Sequence, residues 1–350
     1  MKIFAELADR GHTGIYFASD AASGLQAIIG VHSTVLGPAL GGVRIRDYGS
    51  SDEALLDVLR LSQGMTYKAA AASLPLGGGK AVIIGDPTLV KTEALLEAYG
   101  RAVDQLGGTY VTAEDVGTTV EDLVVVATQT EHVAGLPVSD GGSGDPSPAT
   151  ARGVLAAMRA TADHLWGTTD LGERRVAIQG VGKVGIALLA LLEQEGCKVS
   201  VADVDEERAE AAALRYGAQL VHADEILSQQ CDILAPCALG GVLNERTIPA
   251  LRCAAIVGSA NNQLRGTGVA ERIADAGIAY APDFVANAGG IINIVEELKP
   301  EGYSWDRARD EVERIFDTTR HILAQAKQQG VTPRTAAISF AEERLAQGAG

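Results

Sequence analysis

From Ser50 onward, apolar positions fall into two alternating rhythms. Leu55, Val58 and Leu59 repeat at helical spacing behind Ser50 and Glu53, a Ser-x-x-Glu pair that predicts a capping box. Residues 81–84 form a short apolar run of strand length. Leu95, Leu96, Tyr99, Val103 and Leu106 mark a second helical face, and residues 109–112 a second strand. Between 139 and 148 the chain carries no large apolar side chain, and its Gly, Ser, Asp and Pro predict a hinge. The hinge ends as a helix start, with Ser147 as N-cap and Pro148 at the first helical position. Beyond it Val154, Leu155, Met158, Ala162 and Leu165 form a helical stripe. Strand-like runs follow at 176–179, 198–202, 233–234, 256–257 and 278–280, mostly separated by helical patterns, and 306–347 reads as helix. Alternation of this kind predicts parallel sheet wrapped by helices. The expected fold is therefore α/β, in two domains joined by the hinge.

Composition narrows the function. The 350 residues suit two domains, and 47% hydrophobic with 21% charged residues suit a packed core. The formal net charge of −16 repels phosphate backbones, which argues against a nucleic-acid partner. The four cysteines, Cys197, Cys231, Cys237 and Cys253, make no Cys-x-x-Cys pair and fit reduced thiols in a cytoplasm. No apolar run reaches the roughly 18 residues of a membrane span, and Glu6 comes too early for a signal peptide. A soluble cytoplasmic protein is expected.

The strongest single motif is Gly180-Val181-Gly182-Lys183-Val184-Gly185. The strand run Val176-Ala177-Ile178 leads into it and the helical run 186–192 follows. In such a turn Gly180 permits the bend, Gly182 lets backbone approach a pyrophosphate, and Gly185 lets helix and strand pack. The helix start offers unpaired N–H groups to the anion, and Lys183 can add charge nearby. Asp203 ends the next strand, eighteen residues past Gly185. A carboxylate there binds ribose hydroxyls and repels a 2′-phosphate, which points to NAD. The alternative is that these glycines only pack a sheet and Asp203 is a turn acid.

Two lysines carry the remaining chemistry. Lys68 follows Gly64-Met65-Thr66-Tyr67, and Lys80 follows Gly77-Gly78-Gly79 and precedes a buried-looking strand. Burial lowers a lysine pKa and a neighbouring cation lowers it further, so Lys80 can exchange a proton with water or polarise a carbonyl. The three glycines before it are expected to let substrate come close. Glu114 and Asp115 follow a predicted strand, where they read equally as active-site acids or as caps of the next helix.

Longer segments carry a resemblance. Residues 36–44 (Leu-Gly-Pro-Ala-Leu-Gly-Gly-Val-Arg), 59–68, 77–84, 235–241, 258–263 and 287–293 resemble, in order and over nearly the whole chain, the glutamate, leucine, phenylalanine and valine dehydrogenases. The likeness is nearest to the leucine/valine branch. It implies an N-terminal α/β substrate and oligomerisation domain at 1–140, with a C-terminal helix at about 325–350 packing back on it. Residues 141–324 would be a doubly wound Rossmann domain, across a cleft that closes during the reaction. The implied activity is reversible oxidative deamination of an L-amino acid to a 2-oxo acid and ammonia by NAD, in a homo-oligomer without metal.

By the same resemblance Lys68 and Asn262 bind the substrate carboxylate, Lys80 activates water, and Asp115 exchanges protons. Thr150, Ala238 and Asn261, with Gly180, Gly182, Lys183, Val184, Gly185 and Asp203, contact NAD. Leu40, Gly41, Ala113, Ile291 and Ile294 line the substrate side; an apolar pocket with two isoleucines suits leucine, valine and isoleucine. Phenylalanine or tryptophan dehydrogenase is the rival within the family, and a non-catalytic NAD sensor the rival outside it. Lys183 stands where relatives often carry Asn, and Asp145 precedes Pro146 where Asn is expected.

Overall fold

The computed structural model describes residues 3–348, which form two compact units. The first comprises the chain up to Asp145, Ile294–Ser304 and the segment from Ala341 onward; the second comprises Pro146–Asn293 and Trp305–Phe340. The division thus falls five residues after the one read from the sequence. The last helix, Pro333–Gly348, is shared: only its end belongs to the first unit, where the Tyr67 hydroxyl donates to Glu342 and Arg344 to the Ser73 carbonyl.

The first unit is built on a mixed five-stranded sheet of β1 (Gly14–Asp20), β2 (Leu25–Ser33), β3 (Ala39–Arg46), β4 (Gly77–Ile84) and β5 (Tyr110–Glu114). Its spatial order is β1-β2-β4-β3-β5, with β2 antiparallel to β4 and β3 parallel to both β4 and β5. The first three strands escape the pattern analysis. β2 and β3 are buried along nearly their whole length and so lack a polar alternation.

Helix Ser51–Ala71 covers one face through Leu55, Val58, Leu59 and Ser62. Helices Glu93–Asp104 and Val120–Ala127 cover the other, where Leu95, Tyr99, Leu123 and Val126 join Ile29, Val43, Ala81 and Ile83 in one core. Ser50 caps the first helix as expected, but the Glu53 carboxylate takes the N–H of Gly49 rather than closing a capping box on Ser50. The reciprocal box lies at Thr119 and Asp122, so Glu114 and Asp115 do not cap that helix.

The second unit holds a parallel six-stranded sheet of β6 (Arg175–Gln179), β7 (Lys198–Ala202), β8 (Gln219–Leu220), β9 (Ile233–Pro236), β10 (Ala255–Ile256) and β11 (Ala279–Tyr280). Read as β8-β7-β6-β9-β10-β11, it is the doubly wound order in which the chain reverses direction between β6 and β9. Helix Ser147–Trp166 starts one residue earlier than read, with Pro146 as its N-cap. Helix Lys183–Gln194 begins directly after Gly182. Among the described residues no helix is long and apolar enough to cross a membrane, and no cluster of three His, Cys, Asp or Glu could hold a metal.

Candidate active site

Strand register decides which side chains meet in the first unit. Lys80 on β4 lies opposite Gly30 on β2, and a side chain added at Gly30 would meet Val58 and Ser62 of helix Ser51–Ala71. Directly paired residues share a face, so Lys80 points under that helix. The alternation carries Leu40 and Arg44 on β3, and Ala113 on β5, to the same face, because Leu40 pairs with Gly78, Arg44 with Val82, and Gly42 with Ala113.

The glycines before Lys80 belong to β4 itself rather than to a loop that admits substrate. A side chain on Gly78 would run into the backbone of Thr66, and one on Gly79 would lie 2.6 Å from the Tyr110 ring. These glycines bring the helix end that carries Lys68, and Tyr110, against the strand. Gly41 is closed by the Gly79 carbonyl and accepts the Tyr110 hydroxyl at its own carbonyl. Any contact it makes with substrate is therefore through backbone.

Lys80 and Asp115 come together, with Nζ 3.0 Å from Oδ1 and the lysine side chain only 6% exposed. The loop bearing Asp115 is fixed by Thr118, whose hydroxyl accepts from the Asp115 N–H and donates to the Val43 carbonyl. Burial pushes the Lys80 pKa down, Asp115 opposes it, and Arg44 adds to the lowering. Burial acts to raise the Asp115 pKa but is outweighed by Lys80 and Arg44, so the carboxyl is held below its ordinary range. The neighbouring cation that lowers the Lys80 pKa is thus Arg44. Lys68 occupies the last turn of helix Ser51–Ala71, half-buried.

Arg44 and Asp57 were not singled out by the pattern analysis. Arg44 Nε lies 2.8 Å from Asp115 Oδ2, and its Nη1 lies 3.0 Å from Asp57 Oδ2. A signal was present in the sequence: an arginine sits in the otherwise apolar run Val43-Arg44-Ile45, and an acid sits within the helical stripe of Leu55, Val58 and Leu59.

In the second unit the glycine turn occupies the carboxyl ends of β6 and β9, where an open α/β sheet binds its ligand. Gly180 has φ +95°, and a side chain there would lie 2.7 Å from Ala238 Cβ. Gly185 abuts the Gly180 carbonyl, while nothing lies within 4 Å of a side chain built on Gly182. No side chain caps helix Lys183–Gln194, so its first-turn N–H groups face outward. Lys183 is exposed at the first helical position and Val184 half-buried beside it. Asp203 accepts the N–H groups of Val181 at 2.8 Å and Asp205 at 3.0 Å, which ties the end of β7 to the turn.

The open space over Gly182, the uncapped helix and the carboxylate together fit a dinucleotide. Thr150 donates to the Pro146 carbonyl and lies where a side chain on Gly290 would fall. Asn287 Nδ2 donates to Asn261 Oδ1 at 2.9 Å, and Asn262 has φ +52°. Ile291 is buried and Ile294 half-buried on helix Gly289–Val295, the first in the second unit and the other in the first. The residues read from the sequence therefore fall into two sets. Leu40, Gly41, Lys68, Lys80, Ala113, Asp115 and Ile294 belong to the first unit, and the remainder to the second.

Residues 13–132 match the model of the Glu/Leu/Phe/Val dehydrogenase dimerisation domain. Residues 141–207 and 200–349 match that of Glutamate/Leucine/Phenylalanine/Valine dehydrogenase. The chain belongs to this dehydrogenase family. It is 47% identical to a leucine dehydrogenase of Thermoactinomyces intermedius over 345 residues, covering 99% of this chain and 94% of the relative. It is 49% identical over 340 residues to a valine dehydrogenase of Streptomyces coelicolor, covering 96% and 93%. The solved L-tryptophan dehydrogenase of Nostoc punctiforme superposes with a TM-score of 0.88 at 42% identity and 99% coverage of both chains. As a member of the family this protein is an amino acid dehydrogenase, and the enzyme class implied by the resemblance stands.

Proposed function

We propose that this dehydrogenase oxidatively deaminates branched-chain aliphatic L-amino acids to their 2-oxo acids and ammonia, reversibly, with NAD as partner. The observation that carries the chemistry is the buried Lys80–Asp115 pair, 3.0 Å apart. Support for the aliphatic side chain comes from Leu40 and Ala113, apolar residues on the Lys80 face of neighbouring strands. Neither offers a charge to a second carboxylate. Leucine and valine dehydrogenases also stand among the relatives at 47–49% identity.

In this reading Lys68, assisted by Asn262, clamps the substrate carboxylate as a fixed cation. Lys80, its pKa lowered by burial, takes the proton of the water that adds to the imino carbon. Asp115 passes protons to and from the amino group, so that ammonia leaves and the carbonyl forms. Ile291 and Ile294 complete the apolar lining. Gly180, Gly182, Lys183, Val184, Gly185, Asp203, Thr150, Ala238 and Asn261 would hold NAD. The cofactor, when bound, accepts the hydride lost by the substrate α-carbon. Asp203 favours NAD over NADP because a second anion beside a carboxylate is repelled. Assembly as a homo-oligomer is part of the same reading.

The test is a steady-state panel of leucine, valine, isoleucine, phenylalanine and tryptophan, followed at the absorbance of reduced nicotinamide. An aliphatic substrate should lead in kcat/KM by about tenfold or more. An aromatic leading by that factor would overturn the substrate assignment, and no turnover of any amino acid would overturn the reaction.

A further inference from the structure

We infer that Arg44 is a positioning residue for the reaction proposed above: it orients the Asp115 carboxylate and supplies a fixed positive charge beside Lys80. Each Asp115 oxygen has its own cation, Oδ2 with Arg44 Nε at 2.8 Å and Oδ1 with Lys80 Nζ at 3.0 Å. The carboxylate is therefore turned so that one oxygen faces the lysine. Arg44 is anchored in turn. Its Nη1 meets Asp57 Oδ2 at 3.0 Å, and that oxygen also accepts the Tyr48 hydroxyl at 2.9 Å. Asp57 Oδ1 accepts Arg60 at 2.7 Å. A guanidinium can bridge two carboxylates in one plane, whereas an ammonium is a point charge that does not fix both.

The chain Tyr48–Asp57–Arg44–Asp115–Lys80 links the loop after β3, helix Ser51–Ala71, β3, the loop after β5, and β4. A mere strap between these elements would show the same bonds, so the discriminating property is charge. Asp115 and Asp57 favour the protonated lysine, while burial and Arg44 disfavour it. Tyr48 also faces Arg46, and Tyr110 on β5 feels the Asp115 charge. Removing Arg44 leaves Lys80 facing two carboxylates, so its proton is held to higher pH. Removing the charge of Asp57 does the reverse. Tyr48 contributes no charge at neutral pH, since burial and Asp57 push its hydroxyl pKa up.

The experiment measures kcat/KM against pH for L-leucine oxidation with saturating NAD in wild type, Arg44→Gln, Arg44→Lys, Asp57→Asn and Tyr48→Phe. NAD affinity and circular dichroism are recorded in parallel. In Arg44→Gln the rate at neutral pH should fall by about 100-fold, and the acid limb should move up by about one pH unit. Arg44→Lys should restore the position of the limb but only part of the rate. In Asp57→Asn the limb should move down, and in Tyr48→Phe it should stay. A folded Arg44→Gln whose limb does not move would reduce Arg44 to a strap and overturn the inference. Where Arg44→Gln does not fold, Asp57→Asn decides, and an absent or upward shift overturns it. Lys80→Ala separates the two levels: if it keeps the wild-type limb, the assignment of that limb to Lys80 fails, not the placement of Arg44.

Discussion

A side chain on Gly78 would collide with the backbone of Thr66, whereas one on Gly182 would meet nothing within 4 Å. Both glycines sit in Gly-rich runs beside a lysine, and both read from sequence as places where a ligand approaches. In the first unit the glycines of β4 are spent on the protein itself. They bring the end of helix Ser51–Ala71 onto the strand and close Lys80 off from solvent. In the glycine turn of the second unit Gly182 leaves room, while Gly180 and Gly185 are filled by Ala238 and by the turn's own carbonyl. In the proposed reading the first arrangement prepares a proton-transferring side chain by removing water, and the second prepares a surface of backbone N–H groups by leaving it exposed. Similar composition thus gives close packing around a buried lysine in one unit and open space beside a helix start in the other.

Substitutions that add one methyl group test this contrast. Gly78→Ala should cost the first unit about 3 kcal/mol or more, because the obstacle is helix backbone and not a movable side-chain tip. Chemical denaturation followed by circular dichroism measures it, and a loss below about 0.5 kcal/mol would show that the helix can give way. Gly182→Ala, at φ −67° and in open space, should leave stability within about 0.5 kcal/mol yet weaken NAD by about tenfold or more by obstructing its approach. Unchanged NAD affinity would remove the pyrophosphate from that spot.

The smallest expected effect is at Asp203. Asp203→Ala removes the carboxylate that would repel a ribose 2′-phosphate and leaves Arg208, 2.8 Å from Asp205 and 3.8 Å from Asp203, as a nearby cation. The preference for NAD over NADP should drop by about tenfold, a change of 1.4 kcal/mol in discrimination. An unaltered ratio of kcat/KM values would mean that Asp203 only ties β7 to the glycine turn.

How much was legible in the sequence differed between the units for physical reasons. The second unit follows local rules. Every strand but β8, whose Gln219 and Leu220 are exposed and which the pattern analysis does not find, is a short apolar run, and the glycine fingerprint lies within six consecutive residues, with Asp203 one strand further on. The first unit depends on pairing between distant segments. β2 and β3 are buried on both faces and carry no alternation, so they were missed, and the face of Lys80 is fixed only by its register with Gly30. Arg44 and Asp57 could not be connected from spacing, because their partners sit 71 and 13 residues away along the chain. Lys80 reads from the sequence as a reactive type and Asp115 equally as an active-site acid or a helix cap, and their meeting is a property of the folded sheet.

The pairing of a buried lysine with an acid carries the account, and Lys80→Ala addresses it most directly. Measured together, kcat for leucine oxidation should fall by about a thousandfold or more, while the dissociation constant for NAD stays within about twofold. A variant that keeps kcat within tenfold of wild type, or that loses NAD affinity in proportion to its rate, would contradict it.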